Sequence, residues 1–209
     1  MCSIRTAESV CAGHPDKLAD QIADQILDDI LYDDKAARVA VEVMAAGRRI
    51  IVTGEITTNH RPRIRESVRT ALARSGYSPL GILIYVWTRR QSSDINAGVT
   101  TSLEARGGDS SAFALQGAGD QGTVYGYATA ETPERLPLPL VLAHRICERL
   151  DTAQVEGTIC GIKSDGKAQV SVRYDDTGTP AAVETVVVSV QHEAGKDLAV
   201  LEREVRSLI

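Results

Sequence analysis

One helix opens on an unusual set of side chains. In "SVCAGHPDKLADQIADQILDDI", residues 9–30, His14, Asp16 and Lys17 stand at the mouth of an amphipathic run. Pro15 suits the first helical position, because its missing N–H would go unpaired there anyway. An acidic residue in the first turn complements the helix dipole. Capping leaves the two potential cations unexplained, since this end of a helix repels cations. An anion site accounts for them: free backbone N–H groups, a histidine and a lysine converging on phosphate, with Asp16 holding the metal that accompanies it. Both readings stand on this stretch alone.

Other stretches carry similar alternatives. "SDGK", residues 164–167, sets Asp165 and Lys167 around a glycine; it reads either as a turn or as a second phosphate or ribose contact. Glu42 falls in a β-branched strand, where acidic residues are depleted unless exposed or paired. "GAGDQG", residues 117–122, spells G-x-G-x-x-G, but a dinucleotide turn needs a helix after it, and "TVYGYAT" is strand-like. A Rossmann site is therefore not expected, and no Walker A lysine motif is present. His144 has mostly apolar helical neighbours and reads as structural, His60 as exposed near a helix start, and His192 stays unassigned.

The elements that must position these residues follow from hydrophobic period. Leu18, Ile22, Ile26 and Ile30 recur every four residues and predict a helix over 15–31. Two strands, "ARVAVEVMA" and "RIIVTGEITT", are joined by a short Ala-Gly connection at 46–47. That connection pairs Met44 with Arg49 and Glu42 with Ile51. Ala40, Glu42, Thr53 and Glu55 then share one face, and Val39, Val41, Val43, Val52 and Ile56 the other. A helix over 61–75 and the strand "LGILIYVWT" come next. Residues 89–122 form a long polar segment, which suits an active-site lid. After a strand at "TVYGYAT" come a helix near 138–150, the strands "AQVSVRY" and "AVETVVVSV" around "DDTGTP", and an uncapped final helix at 195–209 carrying Leu198, Leu201, Val205 and Leu208. Two halves of similar parts indicate mixed α+β layers rather than βαβ units.

Composition bounds the function. The 209 residues are 43% hydrophobic and 24% charged, which fits one large or two small globular domains. A net charge of −5 without a basic block argues against non-specific nucleic-acid binding, and 4% aromatics against base stacking. Cys2, Cys11, Cys147 and Cys160 match no metal or disulfide pattern and read as reduced thiols. No signal peptide or membrane span is visible, so the chain reads as cytoplasmic, without a membrane partner.

Taken in order, "ESVCAGHPDK", "GEITT", "QSSDI", "GAGDQG" with "YGYAT", "DGKAQVSVRYD" and "VVVSVQH" resemble the S-adenosylmethionine synthetase (methionine adenosyltransferase) family along essentially the whole chain. The resemblance implies an α+β fold of two similar sheet-plus-helix domains: an N-terminal domain over 1–96, a mobile loop and glycine-rich segment over 97–122, and a middle domain over 123–209. It implies that methionine sulfur attacks C5′ of ATP and displaces triphosphate, which is hydrolysed before release. His14 would stabilise the charge on the leaving triphosphate, and Lys17 would support it. Asp16 would hold Mg2+ and Glu42 would hold K+. Asp165, Gly166 and Lys167 would contact ATP, with Lys167 catalytic beside the phosphates. Glu55, Gln91 and Asp120 would bind methionine.

Two departures matter. The segment between "SGY" and "QSSDI" is several residues shorter than the family usually has, which re-aims the strand before Gln91. The family's third block, with its further phosphate-binding cations, second magnesium aspartate and adenine-stacking aromatic, is not in these residues; Arg89, Arg90 and Arg106 are cations without an assigned role. In the family the site lies between two subunits. The resemblance therefore implies one component of a split synthetase, in a homo-oligomer or a hetero-oligomer with a chain carrying the third block. Alternatives are a non-catalytic regulatory subunit, a piece of a longer enzyme, or an enzyme taking another thioether or nucleotide.

Overall fold

Period-four burial sets the first helix. The computed structural model describes residues 3–92, 101–116 and 122–209. Within it α1, Pro15–Asp33, buries Leu18, Ile22, Ile26 and Ile30, the four residues on one stripe. The chain divides into two compact units. One comprises Met1–Lys17, Ser75–Tyr77 and Tyr125–Ile209; the other comprises Leu18–Arg74 and Ser78–Val124.

In the second unit β2, Arg38–Ala46, and β3, Arg49–Thr57, pair antiparallel, and β3 pairs in parallel with β4, Leu83–Arg89. The parallel pair needs a long connection, which α2, Ile64–Arg74, supplies. Ile50, Val52 and Ile56 are buried, as are Ile64, Val68, Ala71 and Leu72 of α2. The expected faces of the hairpin hold, but its register differs by two residues. Met44 pairs with Ile51, Glu42 with Thr53 and Ala46 with Arg49. The loop is Gly47-Arg48, with Gly47 at φ 57°, at the position where a two-residue type II′ turn needs glycine. A shift of two keeps every side chain on its face, because the strand period is two.

In the first unit β1, Ser3–Val10, β5, Ile162–Tyr174, and β6, Pro180–His192, form an antiparallel sheet in the order β1-β5-β6. Helix α5, Leu138–Glu156, brings Ala143, Ile146, Cys147 and Leu150 into one core with Ala168, Val170, Val172 and Tyr174 of β5. Leu201 and Val205 of α6, Leu198–Leu208, join that core. Asp197 caps the N-terminus of α6 through Ala199 and Val200. The C-terminal end, expected bare, receives Arg149, which donates to the carbonyl of Leu208 at 2.7 Å.

Three further expectations change. "TVYGYAT" is not a strand, and Val124 and Tyr125 are 96% and 91% exposed; no ladder partner holds it among the described residues. "SDGK" is no turn but lies inside β5. The polar segment after β4 contains two short helices, α3, Leu103–Arg106, and α4, Ala112–Gln116. Among the described residues, no helix is long and apolar enough to cross a membrane.

Candidate functional site

The strap between β1 and α1, residues 11–14, is tied to β5 by its backbone. Cys11 N–H donates to the Gly166 carbonyl at 2.9 Å, and Gly13 N–H to the Ser164 carbonyl at 3.0 Å. Gly13 is required by contact: a Cβ there would stand 2.4 Å from Ser164 Cβ and 2.7 Å from the Ser164 backbone. Gly166 answers on the other side, where a Cβ would meet Cys11 Sγ at 2.8 Å. Gly13 and Gly166, the second of which reads as a turn residue, thus let the strap and β5 close on each other. "GHPDK" and "SDGK" are the two sides of one seam.

Two further groups hold the strap, and neither was legible as such. The Asp151 carboxylate of α5 accepts the Ala12 N–H with both oxygens, at 3.2 and 3.1 Å. Burial raises its pKa from the ordinary aspartate value, against the lowering effects of Ala12 and the Lys17 charge. Tyr77 donates its hydroxyl to the Gly13 carbonyl at 2.6 Å. Its pKa is raised by burial and then by the nearby Asp165 charge.

His14 serves as cap and still has a nitrogen to offer. Its Nδ1 accepts the Asp16 N–H at 3.3 Å and lies 3.9 Å from an Asp16 oxygen. A neutral ring that accepts at Nδ1 carries its proton on Nε2. Lys17 turns back and donates to the Val10 carbonyl at 2.5 Å, which makes it a support of the strap. Asp165 and Lys167 alternate with the buried Ser164, Gly166 and Ala168, so both lie on the other face of β5. Lys167 meets Glu8 of β1 at 3.1 Å. Hydrogen bonding and charge from Lys167 hold the Glu8 carboxyl below its usual range. His144, expected to be structural, bonds Ser9 Oγ through Nδ1 at 2.8 Å.

The second unit presents a different arrangement. Three cross-strand rungs share one face: Met44, Ile51 and Tyr85; Glu42, Thr53 and Trp87; Ala40, Glu55 and Arg89. Gly54 allows the strands to close, since a Cβ there would sit 2.1 Å from the Ala40 carbonyl oxygen at a φ of +119°. Glu42 is exposed. Glu55 is not open on both sides: Arg89 Nε donates to its Oε1 at 3.1 Å. Arg89, read as a loop cation, is the last residue of β4. Gln91 follows β4 by two residues and is partly buried. Asp120 and most of "GAGDQG" lie outside the described residues.

Asp16 has the chemistry to share a magnesium ion. Its carboxylate is 91% exposed, and magnesium is ordinarily bound by one or two carboxylates together with substrate phosphates. Glu42 likewise offers a hard oxygen ligand. Among the described residues, no three His, Cys, Asp or Glu side chains converge as a preformed cage.

Comparison with known proteins gives two family matches. The description "S-adenosylmethionine synthetase, N-terminal domain" fits residues 3–93, and "S-adenosylmethionine synthetase, central domain" fits residues 115–209. The S-adenosylmethionine synthase of Corynebacterium urealyticum is 45% identical over 196 residues, covering 90% of this chain and 49% of the relative. That of Kosmotoga olearia is 46% identical over 211 residues, covering 98% and 52%. S-adenosylmethionine synthase 1 of Frankia casuarinae is 44% identical over 204 residues, covering 93% and 50%. The chain spans about half the length of the curated relatives it matches.

Proposed function

The chain belongs to the S-adenosylmethionine synthetase family, and we propose that it contributes the N-terminal and central blocks of an enzyme making S-adenosylmethionine from ATP and L-methionine, with release of phosphate and diphosphate. It would act with the family's C-terminal block, in a homo-oligomer or in a hetero-oligomer with a chain carrying that block.

The observation that supports this most is the seam. It brings "GHPDK" and "SDGK" side by side through the Cys11–Gly166 and Gly13–Ser164 hydrogen bonds. The proposed reaction asks for that kind of construction. A sulfur lone pair forms the S–C5′ bond as C5′–O breaks, and the departing electron pair remains on triphosphate. A neutral thioether needs alignment rather than a general base. Charge grows on the leaving oxygens, so donors fixed in advance where it grows lower the barrier.

His14 supplies one such donor from Nε2 while Nδ1 holds the helix cap. Lys167 supplies another by leaving Glu8 for phosphate, and Asp165 and Gly166 complete the ATP contacts. Glu55, Gln91 and Asp120 hold methionine. When bound, magnesium at Asp16 would neutralise part of the triphosphate, and potassium at Glu42 would add a fixed positive charge.

The test is product formation by the purified chain with ATP, L-methionine, Mg2+ and K+, read by mass spectrometry, alone and with a polypeptide carrying the family's C-terminal block. Product in the combined reaction is the expected result. No product in either reaction would sink the proposal.

A further inference from the structure

We infer that Arg89 determines substrate specificity: with Glu55 it forms a two-charge clamp for the amino-acid end of the substrate, Glu55 taking the α-ammonium and Arg89 the α-carboxylate. This rests on the reading of Glu55 as a methionine contact. The geometry adds what that reading lacked. Arg89 and Glu55 face each other in register across β3 and β4, and the bond between them uses one oxygen and Nε. A guanidinium has five N–H donors in a planar fork suited to carboxylates, so four are left to a ligand.

Exposure divides the roles. The Glu55 side chain is 16% exposed and that of Arg89 82%, so a shielded anion lies beside an open cation. A zwitterion entering here would replace one ion pair by two, gaining complementary charge at each end. A ligand with only an ammonium must displace Arg89 and leave it unpaired. A ligand with only a carboxylate can take the free Arg89 donors but gains nothing from Glu55, which stays with Arg89. The pair thus selects for both charges together.

The next rung accounts for the side chain. Residues two apart on one strand face lie about 7 Å from each other, so Trp87 begins where an extended S-methyl side chain would reach. Trp87 is 64% exposed, with its ring centroid 6.0 Å from that of Tyr85. Thioether sulfur packs well on aromatic rings.

The opposite possibility is that Arg89 simply blocks Glu55, and the two make opposite predictions. In the chain combined with the C-terminal block, Arg89→Ala should raise KM for L-methionine about tenfold to hundredfold. It should leave KM for ATP within about twofold, because ATP binding does not use the pair. The preference for L-methionine over methionine amide, which lacks the carboxylate charge, should shrink toward unity. Arg89→Lys should restore only part of it, since an ammonium cannot form the fork. A lower KM in Arg89→Ala, or an unchanged preference, overturns the clamp.

Binding of L-methionine and its amide to the same assembly, measured by calorimetry with a non-hydrolysable ATP analogue, separates this proposal from the catalytic one. Discrimination in binding without product would defeat the proposed reaction and keep the clamp. Equal binding of the two ligands, or binding of neither, would defeat the clamp.

Discussion

The strap of the first unit and the hairpin face of the second are built on different principles. The strap is held by main chain: three of its four N–H groups donate to Gly166, Ser164 and Asp151, and Tyr77 fixes its Gly13 carbonyl. The hairpin face positions side chains on an ordinary ladder, where the open Arg89 pairs with the shielded Glu55. Backbone seams are rigid and give preorganised donors, which act on developing charge. A side-chain pair with one open partner reorganises more readily than a backbone seam, which suits a partner that exchanges. Read with the proposed function, the first region serves the transition state and the second serves binding.

The largest effects should come from the glycines that close each region. Gly54→Ala places a methyl against the Ala40 carbonyl and at a positive φ, so we expect a loss of about 3 kcal/mol or more in urea unfolding. Gly13→Ala meets the Ser164 backbone but adds no positive-φ strain, so the loss should be smaller. Equal losses would mean the strap is as constrained as the sheet.

The kinetic split comes next. His14→Ala should lower kcat by about a hundredfold with KM for ATP nearly unchanged, as expected for a donor that acts on the leaving group. Glu55→Gln should instead act chiefly on KM for methionine. Affinity loss alone in His14→Ala would dissolve the contrast between the regions.

Asp151 tests whether the strap depends on its side-chain tie. Asp151→Ala removes the carboxylate that accepts the Ala12 N–H and should cost about 1–2 kcal/mol in denaturant at neutral pH. Asp151→Asn keeps an acceptor and removes a charge that burial disfavours, so it should unfold close to the wild type. Loss of equal size in both would assign the effect to charge, through Lys17, rather than to the hydrogen bond.

What could be read in the sequence was local. Leu18, Ile22, Ile26 and Ile30 carry their helix in their own spacing, and the hairpin faces survive a two-residue register slip because parity is unchanged. The "DGK" glycine was ambiguous because its reason is Cys11, which comes about 155 residues earlier in the chain. β1 was not legible for the same reason: its partner is β5, and most of its own side chains are exposed. Glu8 with Lys167, Ala12 with Asp151 and Arg89 with Glu55 are pairings that register and packing create. The motif residues named chemistry, and the fold supplied their neighbours.

The smallest effect belongs to Glu8, and it sharpens the account of Lys167. In the folded chain Lys167 holds the Glu8 carboxyl below the ordinary glutamate value of 4.5. The sign of the linkage follows: a folded pKa below the unfolded one stabilises the protein at pH values above about 4.5, and that contribution fades as pH falls through the folded value. The pair is exposed and screened, so the effect on stability is slight, and the carboxyl titration followed by NMR is the better measurement. Lys167→Ala should move the Glu8 titration upward toward 4.5. Adding ATP to the wild type should move it in the same direction if Lys167 leaves Glu8 for phosphate. A Glu8 titration that ATP leaves untouched would mean that Lys167 remains on β1 and that the first region reaches the nucleotide through His14 alone.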